Sequence, residues 1–401
     1  MNITFEQIKE IEDRCLAPTY QKLPVAIKSG RGCKVWDVNG KEYIDFMTGY
    51  GVAILGHGYP RVVNAIKEQL ENIIIAHSSL YNESRALFLK KLASIAPRGL
   101  SSAYLSNSGA EAIEAALKVV LKATKRKKII AMNGAYHGKT LGALSLTFAE
   151  KYRKAFDDII YKGVEFVEYG SLEAVERGRK LEEYAAIFVE PIQGEGGIRL
   201  PPEEYLKGLR EIADKNGILL VVDEVQSGLG RTGKMWAHEN WNIVPDVMTI
   251  GKGIGGGIPM GVTVAKPEIM NVFEVGEHTS TMGGNPLACA AGKAVLDALT
   301  EDNILQNVQN VGEYLIRLLN EEVGKSRIVR EVRGKGLMIA VELRVKFLEI
   351  LFKAIELGLL TLYSGKTILR MLPPLIISKE EASKATSILR ESLNWYEKSK
   401  I

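Results

Sequence analysis

Lys252 stands between two glycines, directly after the apolar run Val247–Ile250. A lysine held in a pocket of low polarity can lose its proton and attack a carbonyl group, as Schiff-base lysines must. The glycines around it also satisfy the GxGxxG pattern of dinucleotide-binding loops. That alternative fails because a helix must follow such a loop, and residues 255–261 contain four glycines and a proline. We therefore interpret these glycines as positions where the backbone approaches a bulky ligand closely.

Two further segments carry groups that could bind a ligand beside this lysine. Asp223 ends the apolar run 218–222, and in an α/β sheet the carboxyl ends of the strands face the ligand crevice. Its carboxylate could pair with a protonated ring nitrogen, although a helix cap or a structural salt bridge would explain an isolated aspartate equally well. Residues 106–112 are small and open a helix, where free backbone N–H groups and the helix dipole can form an anion site. Many such turns are small and polar only for capping.

The combination of anion turn, strand-end carboxylate and glycine-flanked lysine has one economical explanation. The phosphate, the pyridinium nitrogen and the aldehyde of pyridoxal phosphate (PLP) require partners of these three kinds. The sequence therefore predicts PLP as the cofactor, held as a Schiff base on Lys252, with Lys252 and Asp223 as the catalytic residues.

Motifs along nearly the whole chain, from Asp45-Phe46 and Gly56-His57 to the end, strengthen this prediction. They are Asn107–Ala112, Tyr136–Gly138, Glu190–Gly197, Asp223–Gly233, Lys252 and Thr279–Pro286. In this order they resemble the class III aminotransferases of PLP fold type I, specifically the acetylornithine and ornithine aminotransferase group. The resemblance implies an enzyme that moves amino groups between an amino compound and a keto acid or aldehyde.

The same resemblance implies a role for each residue around the cofactor. Lys252 would shuttle a proton between the substrate carbon and the cofactor carbon, and Asp223 would keep the pyridinium nitrogen protonated. Thr281 would reach the phosphate of the neighbouring subunit, so a homodimer with shared active sites is part of the prediction. The other cofactor-binding residues are Ser108, Gly109 and Ala110 at the phosphate, Tyr136 stacked on the ring, and Val225 and Gln226 along its hydroxyl side.

Five residues are implied in substrate binding. Arg370 aligns with the family arginine that grips a substrate carboxylate through two parallel charge-assisted hydrogen bonds. Glu195 aligns with a glutamate that pairs with this arginine while a long diamine-type substrate is bound and releases it for glutamate or 2-oxoglutarate; a loop carboxylate in solvent is the alternative. Tyr50 and Ser280 complete the set with Lys139, where acetylornithine-type enzymes usually have arginine. Because lysine lacks the bidentate fork, this difference disfavours a small acylated ornithine as substrate.

The segment Gly49–Ala53 is most similar to the archaeal and thermophilic branch that serves lysine biosynthesis through a small acidic amino-group carrier protein. This similarity implies exchange of the terminal (ε or δ) amino group of carrier-linked lysine or ornithine with 2-oxoglutarate or glutamate; an additional part in arginine biosynthesis stays open. Lys28, Arg31, Lys34 or the cluster 122–128 could guide an acidic carrier, although solvated faces and a helix end explain the same charges. The alternatives are an acetylornithine or ornithine aminotransferase acting on a free substrate, another PLP reaction such as an aminomutase, epimerase or decarboxylase, and a non-catalytic metabolite-binding protein.

The elements that must position these residues follow from hydrophobic patterning. Apolar runs of strand length that do not alternate predict a largely parallel sheet buried on both faces. Segments with helical period lie between them at 110–123, 202–216 and 286–299, so the fold class is α/β with helices on both faces of the sheet. The predicted strands are Ala103–Leu105, Lys128–Met132, Val164–Val167, Ala186–Val189, Ile218–Val222, Val247–Ile250 and Val262–Ala265.

The two ends of the chain predict a smaller α+β domain. After residue 325 the pattern is strand, strand, helix, strand and a final helix opened by the capping box Ser378–Glu381. Near the start, Asn39-Gly40 predicts a hairpin with a type I′ turn. We expect an N-terminal arm and part of the small domain in 1–60, a large PLP-binding domain in 61–300 and a C-terminal small domain in 301–401.

Composition narrows the function classes further. The three cysteines are scattered and the five histidines lie far apart, which predicts neither a disulfide framework nor a metal site. The net charge is only +4, and basic residues are not interleaved with aromatic ones, so no nucleic-acid partner is expected. Without a signal peptide or a long apolar segment, the sequence predicts a cytoplasmic protein with no membrane partner.

Overall fold

The computed structural model describes residues 3–400, which form fifteen strands and fourteen α-helices. The strands are β1 Ile27–Arg31, β2 Lys34–Asp37, β3 Glu42–Asp45, β4 Ser102–Ser106, β5 Lys128–Met132, β6 Val164–Val167, β7 Tyr184–Val189, β8 Leu219–Asp223, β9 Val247–Ile250, β10 Gly261–Ala265, β11 Val329–Lys335, β12 Met338–Leu343, β13 Leu359–Leu360, β14 Leu362–Ser364 and β15 Ile368–Met371. The helices are α1 Phe5–Cys15, α2 Thr48–Gly51, α3 Pro60–Leu70, α4 Glu83–Ile95, α5 Gly109–Thr124, α6 Leu141–Ser145, α7 Glu150–Arg153, α8 Leu172–Glu176, α9 Tyr205–Asn216, α10 Pro267–Met270, α11 Pro286–Glu301, α12 Ile304–Glu322, α13 Leu348–Glu356 and α14 Lys379–Ser399. Short 3₁₀ turns occupy Lys154–Ile159, Leu181–Glu183, Ala237–Trp241 and Lys252–Gly255.

A seven-stranded sheet in the order β4-β10-β9-β8-β7-β5-β6 forms the centre of the molecule. Its neighbouring strands run parallel except at β10, which is antiparallel to both β4 and β9. Every residue of β7 and β9 is buried, as expected for strands covered on both faces. The predicted α/β fold with a largely parallel sheet is therefore confirmed, and all seven predicted strands exist within two residues of their expected bounds.

Side-chain caps fix where the helices next to the site begin. Ser108 caps α5 by accepting a hydrogen bond from the Glu111 N–H, and Asn285 caps α11 in the same way, with Pro286 in its first turn. The predicted capping box at Ser378 opens α14. The first turn of α5 is thereby held at the carboxyl edge of the large sheet.

Two smaller four-stranded sheets have the orders β1-β2-β3-β13 and β11-β12-β15-β14. The β3–β13 pairing joins the N-terminal hairpin to a C-terminal strand, and the single strand expected after α13 is three short ones. The domain boundaries near residues 60 and 300 stay a prediction.

The hairpin forms as predicted, but the prediction of a type I′ turn is wrong. Of the Asn39-Gly40 pair only Gly40 has a positive φ, of 84°. The carboxylate of Asp37 accepts hydrogen bonds from the backbone N–H groups of Asn39 and Lys41, each at 2.9 Å. This side chain organises the turn in place of the backbone geometry that type I′ requires.

Helix α2 is a single left-handed turn. Thr48, Gly49, Tyr50 and Gly51 all have positive φ, between 47° and 83°. Asp45 Oδ1 accepts hydrogen bonds from the N–H groups of Met47 and Thr48, both at 2.8 Å, and holds the turn in this unfavourable conformation.

In the described residues 3–400, no helix is both long and apolar enough to span a membrane.

Candidate active site

A cavity of about 520 Å³ opens at the carboxyl edge of the large sheet. Four of its residues come directly from the ends of strands or the turns after them, where parallel strands present their ligand-binding groups: Glu190, Asp223, Val225 and Lys252. The remaining lining residues are Gly109, Ala110, Tyr136, His137, Gly138, Lys139, Thr140, Glu195 and Gln226. The cavity thus joins most of the residues that the sequence predicts around the cofactor.

Lys252 begins a 3₁₀ turn after β9 and has a left-handed backbone, with φ of 48°. Burial lowers the pKa of its ammonium group, although the negative charges of Asp223, Glu195 and Glu190 oppose that shift. A lowered pKa raises the fraction of neutral amine, the form that attacks a carbonyl. The environment of Lys252 therefore suits a Schiff-base lysine.

Asp223 is the last residue of β8 and is 5% exposed. Its Oδ2 lies 2.7 Å from His137 Nδ1, and its Oδ1 accepts hydrogen bonds from Thr249 Oγ1 at 3.2 Å and from the Val225 N–H at 2.9 Å. Burial is the largest single effect and disfavours a charged His137, but the hydrogen bond to Asp223 and the negative charges of Asp223 and Glu190 together raise the pKa of the imidazole. The carboxylate is thus held in a fixed orientation by three partners.

The predicted anion turn is the first turn of α5. Gly109 and Ala110 line the cavity, and the first N–H groups of a helix have no partner inside the helix. Ser108 does not line the cavity; its hydroxyl caps α5 by accepting a hydrogen bond from the Glu111 N–H. A Cβ on Gly109 would stand 2.8 Å from Val225 Cγ1, so only glycine fits there.

Tyr136 and Lys139 line one wall of the cavity, and Tyr152 packs against both side chains. The two tyrosine rings meet edge to face with their centroids 5.9 Å apart. Lys139 Nζ lies 4.5 Å from the centre of the Tyr152 ring and 6.0 Å from that of Tyr136. Burial, the largest cause, raises the pKa of the Tyr136 hydroxyl to about 12, so this ring stays neutral. The wall combines an aromatic face with a positive charge at its edge.

Arg370 and Glu195 form an ion pair with 2.6 Å between Arg370 Nη2 and Glu195 Oε1. The arginine side chain is fully buried on β15, whereas that of Glu195 is 27% exposed. The Nε of Arg370 donates to the Tyr363 carbonyl at 3.3 Å, and its Nη1 is buried with no hydrogen-bond partner among the described residues. The pairing that the family pattern implies is present, and Glu195 is not an isolated loop carboxylate.

Arg370 is not part of the cavity lining, and three other predicted residues besides Ser108 also lie outside it. Tyr50 is 44% exposed on the left-handed turn α2, where its pKa is raised by burial and by the nearby Glu195. Ser280 accepts hydrogen bonds from Asn107 Nδ2 at 3.1 Å and from a backbone N–H. Thr281 is exposed on this chain, and its contact with a neighbouring subunit stays a prediction.

The sequence did not assign roles to four residues that shape the site. His137 and Glu190 stand inside the family motifs quoted above, and the position of Glu190 directly after β7 was the signal that could have found it. Thr249 lies within an apolar strand, where one hydroxyl among aliphatic residues marks a side chain that needs a buried partner. Tyr152 lies in a short helix and gives no signal in the sequence alone.

The residue set fits PLP. Gln226 Oε1 is buried without a hydrogen-bond partner in the described part of the chain. This oxygen, next to Val225 in the sequence, can accept a hydrogen bond from a bound ligand. A Cβ on Gly251 would lie 3.1 Å from the Gly109 backbone, which shows how closely the two ligand-facing segments approach. Asp223 is an acidic partner for a ring nitrogen, and no cluster of metal-ligating side chains occurs in residues 3–400.

A doubly wound sheet with a lysine, an aspartate and an anion turn at its carboxyl edge defines a PLP enzyme of fold type I. The family model "Aminotransferase class-III" matches residues 15–393, so the chain belongs to the class III aminotransferases. It is therefore an enzyme that transfers amino groups with PLP as cofactor, and the expectation of fold type I is confirmed.

Two similar proteins differ in the substrate that their names give. The chain is 42% identical to an acetylornithine aminotransferase of Methanopyrus kandleri, over 96% of this chain and 98% of the relative. It is 41% identical to a [LysW]-aminoadipate semialdehyde/glutamate semialdehyde transaminase of Sulfolobus acidocaldarius, over 94% and 97%. The structure of ornithine aminotransferase from Toxoplasma gondii superposes with a TM-score of 0.95 at 33% identity, covering 99% of this chain and 95% of that one.

Proposed function

We propose that this aminotransferase exchanges the terminal amino group of carrier-protein-linked lysine or ornithine with 2-oxoglutarate or glutamate. The observation that carries the proposal is the ion pair of Glu195 with the buried Arg370. While a long amine is bound, Glu195 pairs with Arg370 and neutralises its charge. When Glu195 releases Arg370, the arginine is available to a dicarboxylate such as 2-oxoglutarate. One site can thus serve two substrates in turn. Lysine biosynthesis, in the cytoplasm, is the proposed setting, with arginine biosynthesis open.

The residues of the cavity divide the chemical work. PLP, when bound, supplies an aldehyde carbon and an electron-withdrawing ring. The Lys252 amine, with its lowered pKa, would take a proton from the substrate carbon and deliver it to the cofactor carbon. Asp223, oriented by His137 and Thr249, would accept a hydrogen bond from the protonated ring nitrogen. Tyr136 would cover one face of the ring and exclude water.

The charges at the rim support an acidic carrier as partner. Lys139 lines the cavity, and the Nζ atoms of Lys139 and Lys151 lie 4.5 Å and 4.7 Å from the centre of the neighbouring Tyr152 ring. The cluster 122–128 is a weaker docking candidate, because Lys122 and Lys128 each pair with a glutamate of this chain and Arg126 donates to two backbone carbonyls. Lys34 is likewise paired, with Glu42 at 2.9 Å. A steering role therefore fits the rim better than these sites.

A second candidate is an acetylornithine aminotransferase, favoured by the name of the Methanopyrus kandleri relative. Against it stands Lys139, since an ammonium group cannot form the bidentate pair that an arginine gives to a small carboxylate. The test is a panel of acetylornithine, ornithine, 4-aminobutyrate and carrier-linked lysine, each with 2-oxoglutarate. The proposal predicts the highest kcat/KM for the carrier-linked amine; equal efficiency with free or acetylated ornithine would overturn it.

A further inference from the structure

Glu190 is a buried carboxylate that the mechanism above does not use. It follows β7, directly beside the end of β8 that carries Asp223, and it is 6% exposed. Its Oε2 accepts a hydrogen bond from the Tyr136 N–H at 3.0 Å, and its Oε1 accepts one from the Gly194 N–H at 3.1 Å. No other side chain in the cavity lining bonds to both of these segments among the described residues.

These two bonds join separate parts of the active site. Tyr136 belongs to the aromatic wall, and Gly194 directly precedes Glu195, whose side chain pairs with Arg370. The Gly194 carbonyl in turn accepts hydrogen bonds from the N–H groups of Gly197 and Ile198, at 3.1 Å and 3.3 Å. The backbone before Glu195 is therefore fixed from two sides, while the Glu195 side chain remains partly exposed.

We propose that Glu190 is a positioning residue that anchors the backbone at the base of Glu195, so that only the Glu195 side chain moves between the two half-reactions. This inference rests on the proposed alternation of two substrates. With the anchor in place, Glu195 returns to Arg370 when an amine donor binds. Without it, Arg370 stays uncovered, which penalises a long amine more than it penalises glutamate.

The protonation state of Glu190 makes the two hydrogen bonds of its carboxylate depend on pH. Burial, the largest cause, and the neighbouring Asp223 raise the pKa of Glu190 to about 7, against the opposing effects of His137 and the two N–H donors. Lys252 is the other charged group that faces it from the cavity, and the Tyr169 hydroxyl lies behind it. Protonation turns one oxygen into a donor that opposes an N–H, so the anchor weakens as the pH falls through 7.

The test compares Glu190→Gln with wild type in the two half-reactions, followed separately by the absorbance of the PLP-loaded enzyme. One run uses the best amine donor alone, the other glutamate alone. The amide offers one acceptor instead of two, so we expect the amine-donor rate constant to fall about tenfold more than the glutamate rate constant. The wild-type ratio of the two should also drop as the pH falls through 7, and this drop should be absent in Glu190→Gln.

Tyr169→Phe is the matched control. Its hydroxyl donates to the Pro191 carbonyl at 2.9 Å in the same loop but does not touch the Glu190 carboxylate. We expect this variant to change both half-reactions by one common factor. Equal changes in Glu190→Gln, or an unchanged pH dependence of the ratio, would overturn the proposal.

The stability of the apoprotein tests the buried state of Glu190 independently of the transamination reaction. A buried glutamate with a raised pKa binds more protons in the folded state, so its contribution to stability is lost as the pH rises from about 4.5 to 7. The apoprotein melting temperature of wild type should therefore fall relative to that of Glu190→Gln across this range; parallel curves contradict the assignment. Because any accepted amine donor serves, failure of the carrier-linked substrate would not be confused with failure of this inference.

Discussion

At the residue scale, burial makes the Lys252 amine reactive and also destabilises the folded state. Its ammonium group loses hydration in the cavity, and the surrounding carboxylates only partly compensate, so its pKa is lowered. Asp223 avoids the same problem because three donors satisfy its oxygens. The two catalytic groups thus differ in how the surrounding residues compensate their burial.

Lys252→Met tests this difference in the apoprotein. A base whose pKa is depressed on folding destabilises the folded state at low pH, and this effect disappears as the pH rises toward the ordinary value of 10.5. We therefore expect the variant to melt above wild type at pH 7, with a difference that shrinks toward pH 10. Scanning calorimetry at stepped pH measures it; a constant or growing difference would refute the buried, poorly compensated lysine.

Where a motif or a strand end marked a residue, the sequence predicted which residues lie together in the structure. Lys252, Asp223, Gly109 and Gln226 line one cavity because parallel strands and their following turns meet at one edge. The bonds of Asp223 to His137 and Thr249 could not be predicted, since they join residues far apart in the chain through side-chain geometry.

At the element scale, the first turn of α5 depends on the absence of a side chain. Ser108 starts the helix, and Gly109 lets it approach the segment after β8. Apolar runs and caps predicted the strands and helices because burial on both faces and capping are local signals. The left-handed turn Thr48–Gly51 was not predicted, because Asp45 and tertiary packing hold two non-glycine residues in an unfavourable conformation.

Gly109→Ala should separate cofactor binding from folding. The added methyl group would meet Val225 at 2.8 Å and push the turn off the cavity. We expect PLP to bind at least about tenfold more weakly, the loss of roughly one charge-assisted hydrogen bond. Quenching of protein fluorescence by PLP measures the affinity.

Lys122→Ala is the control at the far end of the same helix. It removes an exposed ion pair with Glu277 and touches no residue of the cavity. Exposed pairs contribute about 1 kcal/mol or less, so stability should change little and PLP affinity not at all. Equal affinity losses in both variants would mean that the helix as a whole, not its first turn, governs binding.

At the scale of the whole molecule, the family resemblance predicts that the site extends beyond one chain. Thr281 is exposed and lies outside the cavity, although the family pattern assigns it to a cofactor phosphate. A homodimer with shared sites reconciles the two. The contact of Thr281 with a second subunit was predicted only from the family resemblance, because neither composition nor hydrophobic periodicity reveals which exposed residue contacts a second copy of the chain.

Hybrid dimers test the shared site. Lys252→Ala and Thr281→Asp each impair both sites of a homodimer, the second by repelling the phosphate. A hybrid dimer contains one chain of each variant. If each site takes Lys252 from one chain and Thr281 from the other, one site of the hybrid carries both changes and the other site carries neither. Equal mixing and refolding should therefore restore about a quarter of wild-type activity, since half of the dimers are hybrids with one intact site. Activity no higher than the mean of the two separate variants would argue for sites built from one chain.

The central claim is that the cofactor binds covalently to Lys252 at the carboxyl edge of the large sheet. Borohydride reduction of the PLP-loaded protein, followed by peptide mapping with mass spectrometry, tests it most directly. We predict one phosphopyridoxyl group per chain, on Lys252, and none in Lys252→Ala. Label on another lysine, or no label at all, would contradict the account.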